Sequence, residues 1–297
     1  MFFVRLCLYK INYGLYVVFY VQAVFGYGSL CLGVDNMRYV ADHDFHIHST
    51  VSPCCHDENQ TPRAILDYAI ENGFNKICLT NHLWDENVAS EADWHDEQRF
   101  DFITSVLPLP QSEHVRFLFG AEADMDYNFV LGVSPERMEC FDFIVVPTTH
   151  LHLVGNTVKT KIETPEEAAC HWFNRIEALL RMDMPWHKTG IAHLTCGHIF
   201  SSRTPEVIDI LDTGRLYDVF KECASKGVGI ELNMKTLNMT QEIREIMLRP
   251  YFIAKECGCK FYLGSDSHKI AALKDTKENF ENVITLLDLK ECDKFCI

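Results

Sequence analysis

From Asp44 onward the chain alternates short apolar runs with segments punctuated like helices. The runs are Asp44–His48, Lys76–Asn81, Val115–Glu122, Phe141–Pro147, Gly190–Leu194, Val228–Asn233 and Lys260–Asp266. Several are apolar nearly throughout, the pattern of parallel strands buried on both faces. The intervening segments carry readable ends. "TPRAILDYAIENG" offers Thr61 as N-cap, Pro62 at the first helical position and Gly73 as the stop. Thr164 and Glu167 stand at capping-box spacing, and Thr204-Pro205 repeats the Thr-Pro start. Between Glu242 and Gly258, Pro250 is expected to break or restart the helix. "FENVITLLDLKE" near the C-terminus is amphipathic. With no internal repeat or linker, the alternation predicts one β/α barrel of seven strands.

The first 36 residues follow another pattern. Arg5 and Lys10 precede an uncharged run from Ile11 to Val34, the layout of a signal anchor or membrane helix. Asn12, Gln22, several tyrosines and four glycines oppose that reading, and there is no clear small-residue cleavage site. Met37 then stands a few residues before the first strand, as a native start would. The preferred reading is a hydrophobic N-terminal extension over residues 1–36 and a barrel domain over 37–297. An anchor within residues 11–34 is the alternative.

The first strand, "DFHIHST", raises the question of chemistry. Strand alternation predicts Asp44, His46 and His48 on one face and Phe45 and Ile47 on the other. Two imidazoles with a carboxylate suit a divalent metal, whereas a half-buried edge strand would leave them merely solvated. The other strands repeat the theme at their C-terminal ends: Asn81 and His82, Glu122, His150 and His152, His193, Glu231 and Asn233, Asp266 and His268. In a parallel barrel those ends form one rim, where active sites are built.

Composition narrows the choice. A formal net charge of -15 disfavours a large nucleic-acid interface and is compatible with cation binding. The hydrophobic fraction of 47% is enough for a sizeable core. Thirteen scattered cysteines form no disulfide framework, which points to a reducing, cytoplasmic setting. Cys257 and Cys259 lack a second pair at zinc spacing and read as buried structural thiols.

Taken in order, the HxH motif, the Thr80-Asn81-His82 turn, the Gly120-x-Glu122 strand end, the single rim histidines and Ser265-Asp266-x-His268 resemble the PHP (polymerase and histidinol phosphatase) family. The resemblance spans Asp44 to Lys269. It implies a distorted (β/α)7 barrel, two or three divalent metals (zinc, manganese or iron) and hydrolysis of a small phosphorylated substrate. The implied first site is His46, His48, Glu122 and Asp266. Glu122 would bridge to a second site with His150 and His193. A third would use His82 and His268 with one more ligand.

At that last position the family usually has Asp or His. This chain has Cys54, followed by Cys55, His56 and Asp57, so Cys54 or His56 would complete the site or leave it vacant. Asn81 replaces a usual Asp, which removes a charge that would raise ligand basicity. The implied nucleophile is a metal-bound hydroxide anchored at Glu122, with Asp266 or a ligating histidine as proton donor. His152 and Lys269 are candidate substrate contacts. Lys188, Arg203 and Lys235 read as surface charges. His171 and His198 read as structural or solvated. The acidic stretch after His82 reads as a pocket cap or a surface excursion. The alternatives are an amidohydrolase-type enzyme, a non-catalytic metal-binding module, and a phosphoesterase for nucleotides or short oligonucleotides.

Overall fold

The structure, a computed structural model, describes residues 3–11, 14–22, 37–90, 97–233 and 238–297. Contacts divide the chain into two units, Met1–Asp35 and Asn36–Ile297. In the first, β1 (Phe3–Ile11) pairs antiparallel with β2 (Gly14–Gln22). β2 is dense in valine, tyrosine and phenylalanine, residues that favour an extended chain. The part of the run 11–34 that is described is therefore strand, not helix, and residues 12–13 and 23–34 lie outside the described residues. No helix among the described residues is long and apolar enough to cross a membrane.

The second unit is an α/β barrel. Its strands are β3 (His43–Ile47), β4 (Lys76–Leu79), the two-residue β5 (His82–Leu83), β6 (Arg116–Ala123), β7 (Phe143–Pro147), β8 (Thr189–Ala192), β9 (Gly229–Leu232) and β10 (Lys260–Leu263). Seven of them run parallel in the order β3-β4-β6-β7-β8-β9-β10, with β5 extending the sheet alongside β6. The first and last strands nearly close the ring. Ile47 bridges Ser267, the Asp266 N–H donates to the His46 carbonyl at 2.7 Å, and the His48 N–H donates to the Ser267 carbonyl at 3.0 Å.

The helices are α1 (Pro62–Glu71), α2 (Phe100–Thr104), α3 (Pro135–Met138), α4 (Pro165–Leu180), α5 (Thr204–Ile210), α6 (Thr213–Lys226), α7 (Gln241–Glu256), α8 (Ile270–Leu273) and α9 (Thr276–Leu286). Thr61 caps α1 by accepting the Ala64 N–H. Thr164 caps α4 by accepting the Glu167 N–H, but the Glu167 carboxylate takes the N–H of Glu163 rather than that of the cap, so the box is only half formed. α7 corrects the sequence reading, because it runs unbroken through Pro250. Met247, Leu248, Tyr251 and Ala254 around the proline are buried, and α7 packs on both α5 and α6. That burial outweighs the hydrogen bond the proline cannot make.

Alternate strand residues face opposite ways. Ile144, Val146, Ile191, Ile230, Phe261 and Leu263 join the helices in the main core. Phe45, Cys78, Leu118, Phe143, Val145, Ala192 and Tyr262 fill the barrel interior with Phe295. Glu122 lies on the same face of β6 as Leu118, four residues further toward the rim. β3 departs from the expected alternation, because its register shifts between Asp44 and Ile47. Phe45 joins the interior plug and the adjacent His46 also faces inward, toward Glu122 and Glu231. Asp44, expected beside the histidines, instead meets Tyr68 Oη of α1 at 3.4 Å and the Ser265 N–H at 2.9 Å.

Candidate metal centre

The C-terminal strand ends and the loops after them bring ten imidazole, carboxylate and thiol side chains together above the apolar plug. His46 Nδ1 lies 2.5 Å from Glu231 Oε1, and His48 Nδ1 lies 3.0 Å from Ser52 Oγ. Ser52 in turn donates to Asn81 Oδ1 at 3.1 Å. Each ring thus has an oxygen partner at Nδ1 and turns its Nε2 inward. The two Nε2 atoms are 3.1 Å apart. Glu122 Oε2 lies 3.4 and 3.1 Å from them, and Asp266 Oδ1 lies 3.6 and 3.2 Å away. Glu122 Oε2 is buried and makes no hydrogen bond with a described residue. Acceptors converging this closely in a buried place require positive charge among them. The donor set therefore fits a divalent metal.

The other oxygen of Glu122, Oε1, lies 3.2 Å from His193 Nε2. Four groups of donors have their ligand atoms within 4.8 Å of one another: His46, His48, Glu122 and Asp266; Glu122, His150 and His193; His48, Cys54, His82 and His268; and His46, His193 and Glu231. In the last, Glu231 already holds His46 through Nδ1, and its second oxygen accepts the His193 N–H at 3.0 Å. It orients two rings rather than offering itself to an ion. His193 and Asp266 have φ of 64° and 51°, a left-handed backbone that β-carbons disfavour. Their side chains reach the cluster through this turn, and backbone bonds to Glu231 and His46 hold them there.

The electrostatics follow from burial among charges. Burial alone would lower the pKa of His46, but the carboxylates of Glu231, Glu122 and Asp266 hold it well above its usual value. His82 is raised in the same way by Glu122 and Asp124. Glu122 resists its own burial, and His82 and His46 keep it far below the carboxylate range. Burial pushes the Cys54 thiol up, yet the hydrogen bond with His82 and the charge of His48 bring it below its ordinary value. His152 and His198, stacked with ring centroids 4.2 Å apart, are both pushed down to about 4, His152 by burial and the charge of His198, and His198 by burial and the charges of His150 and His193.

The sequence-derived candidates fall as follows. His46, His48, Cys54, His82, Glu122, His150, His193, Asp266 and His268 all gather in the cluster. His56 is exposed and outside these groups. Lys269 is exposed, and the cavities about the cluster are lined by other residues. His152 lines the cavity directly over the donors, together with His198, which sequence reasoning had left as structural or solvated. Lys188 precedes β8, so it lies at the opposite end of that strand from the rim. Lys235 lies outside the described residues. Of two further buried carboxylates, Glu231 was placed on the rim but given no role, and Asp124, which lies 3.3 Å from His82 Nδ1 and 3.8 Å from His150 Nδ1, was passed over. Both follow the strand-end pattern, and Asp124 stands two residues after Glu122, which is the signal that could have found it.

No family model matches the chain, and no curated protein matches it. Among solved structures it is similar to histidinol phosphate phosphatase from Lactococcus lactis subsp. lactis, crystallised with zinc, L-histidinol and phosphate. That likeness has 15% identity and a TM-score of 0.52, and covers 86% of this chain and 99% of the other. A probable 2-pyrone-4,6-dicarboxylic acid hydrolase from Acinetobacter baumannii is similar at 12% identity and a TM-score of 0.41, covering 86% and 96%. At 15% identity the first of these likenesses is one of fold alone. Fold and site together define an α/β barrel with clustered donors that can hold metal ions at its rim.

Proposed function

We propose that this chain is a metal-dependent phosphoesterase of the PHP type that hydrolyses a small phosphomonoester. The observation that carries the proposal is Glu122. Its Oε1 faces His193 and its Oε2 faces His46 and His48, so one buried carboxylate joins two donor sets. Divalent ions held there would make a water acidic enough to attack at neutral pH and would offset charge on phosphoryl oxygens. His46, His48 and Asp266 would hold the first ion with Glu122, and His150 and His193 would hold the second. Glu231 and Ser52 fix the tautomers of His46 and His48. Asp266 borders the cavity, where its carboxylate would take the proton released by the attacking water and return it to the leaving oxygen.

The cavity above the donors, about 170 Å³, suits a phosphoryl group. Beyond His152 and His198 it adjoins a second of about 500 Å³, lined in part by Leu151, Ile162, Ile199 and Phe200, where the rest of a small ester fits. The zinc and phosphate named with the Lactococcus structure support the same reading.

The test is hydrolysis of a generic aryl phosphate, then of histidinol phosphate, by metal-replete protein. We expect Glu122→Gln and His46→Ala to lose at least about a hundredfold in kcat/KM, since even indirect metal contacts are worth tenfold to a hundredfold. His171→Ala, on α4 away from the donors, keeps its activity. Full metal occupancy with no turnover on any phosphoester would leave a metal-binding module as the better reading.

A further inference from the structure

The third donor group differs in chemistry from the other two. Cys54 Sγ lies 3.0 Å from His268 Nε2, and His82 shares a hydrogen bond with the same thiol. His48 is also within reach, but its Nδ1 is taken by Ser52. Its single free nitrogen lies 3.1 Å from Glu122 and 3.2 Å from Asp266, which assigns it to the first group. That leaves one sulfur and two nitrogens around a position that borders the cavity. A tetrahedral zinc ion with bonds of about 2.3 Å to sulfur and 2.0–2.1 Å to nitrogen separates such donors by about 3.5 Å. Cys54 and His268 stand 3.0 Å apart and all three donors lie within 4.8 Å of one another, a spread that brackets this spacing.

The neighbouring donor sets are imidazole and carboxylate, which suit zinc, iron or manganese alike. A thiolate discriminates strongly in favour of zinc over the harder manganese ion. We propose that Cys54, His82 and His268 form a zinc-selective site with one position open to the cavity, beside a Glu122-bridged pair that accepts either metal. In a cell supplying both ions the centre would then be of mixed composition. The inference rests on the metal-centre reading of the cluster and does not require turnover.

Two measurements on the full-length protein test it, and neither reads activity. First, the metal-free chain is titrated with Co²⁺. We expect an intense near-ultraviolet sulfur-to-cobalt band in the wild type and in Cys55→Ser, absent from Cys54→Ser. The visible cobalt bands should shift on adding orthophosphate, which would occupy the open position. A wild type without the band, a band that survives Cys54→Ser, or visible bands indifferent to phosphate would overturn the assignment.

Second, protein equilibrated with excess Mn²⁺ and one equivalent of Zn²⁺ is desalted and its metals are counted. The wild type should retain its zinc. Cys54→Asp, which keeps an ionic donor, should hold the same total metal with zinc preference reduced by about tenfold or more. Unchanged preference in Cys54→Asp overturns the proposal. Circular dichroism of each variant identifies any loss of fold. Sulfur–cobalt absorption without phosphoesterase activity would sink the proposed function and leave this site standing.

Discussion

Glu231 Oε1 and His46 Nδ1 meet at 2.5 Å with both side chains fully buried, and the other oxygen of the same carboxylate takes the backbone N–H of His193. One residue of β9 thereby sets the direction of two candidate ligands on two other strands. Glu231→Gln keeps the shape and removes the charge. We expect metal affinity to fall by about 10–100-fold, the usual cost of losing a ligand's orienting partner, with little change in fold. Competition against a chelating dye measures it, and an unchanged affinity would reduce Glu231 to a packing role.

Gly264 follows β10 where two elements of the centre converge. A β-carbon there would clash with Glu231 Oε1 and come within 2.7 Å of His46 Cβ. Neither neighbour can withdraw, since each is held by the other. We expect Gly264→Ala to cost about 1–3 kcal/mol in stability, the usual range for overpacking. Metal affinity should fall with it. Urea denaturation of the metal-free protein, followed by metal titration, separates the two effects.

His43, at the start of β3 and so at the end of the seam away from the rim, links stability to pH. Its Nε2 accepts the Leu263 N–H at 3.1 Å and its Nδ1 faces Asp42 at 2.9 Å, so the neutral ring fits the native structure. Burial lowers its pKa against the opposing pull of Asp42, with Lys294 and Lys76 assisting the lowering. The folded state thus binds fewer protons than the unfolded one, whose value is about 6.5. The stabilisation is present above that pH and is lost as pH falls through the folded value. We expect the stability gap between wild type and His43→Gln to be wider at about pH 7.5 than at pH 5.5, measured by urea midpoints. A gap independent of pH would mean that the ring titrates alike in both states.

We also propose that a shortened chain beginning at Met37 folds and binds metal, since every donor of the cluster follows it. Thermal melting and metal counting of the two lengths compare them. Loss of folding in the shorter chain would make residues 1–36 part of the structure.

The barrel was legible because seven apolar runs fall at its seven principal strands, and because parallel strands carry their C-terminal polar residues to one rim. Which donors gather was legible for the same reason. The inward turn of His46 beside Phe45 was not, because it depends on a register shift that strand alternation cannot foresee. The continuous α7 was hidden by Pro250, whose cost is local while the compensating burial comes from α5 and α6. The orienting work of Glu231 was hidden because it appears only when β9 lies between β10 and β8. Cys54 and His56 both stood as candidate ligands on paper, and only the folded loop shows Cys54 against His268 and His56 exposed.

The seam between β3 and β10 has a thermodynamic consequence. These two strands are joined by a single bridge and a few hydrogen bonds at their rim ends, yet each contributes to the same donor group: His46 and His48 from one side, Asp266 from the other. An ion held by that group acts as a clasp on the ring, and its donors span the chain from residue 46 to residue 266. No partly folded segment contains them all, so ion affinity is conferred only by the closed barrel and is returned to it as stability. Chelation should therefore lower the melting temperature of the whole barrel. Amide exchange should then accelerate first where Asp266 and His48 donate across the seam.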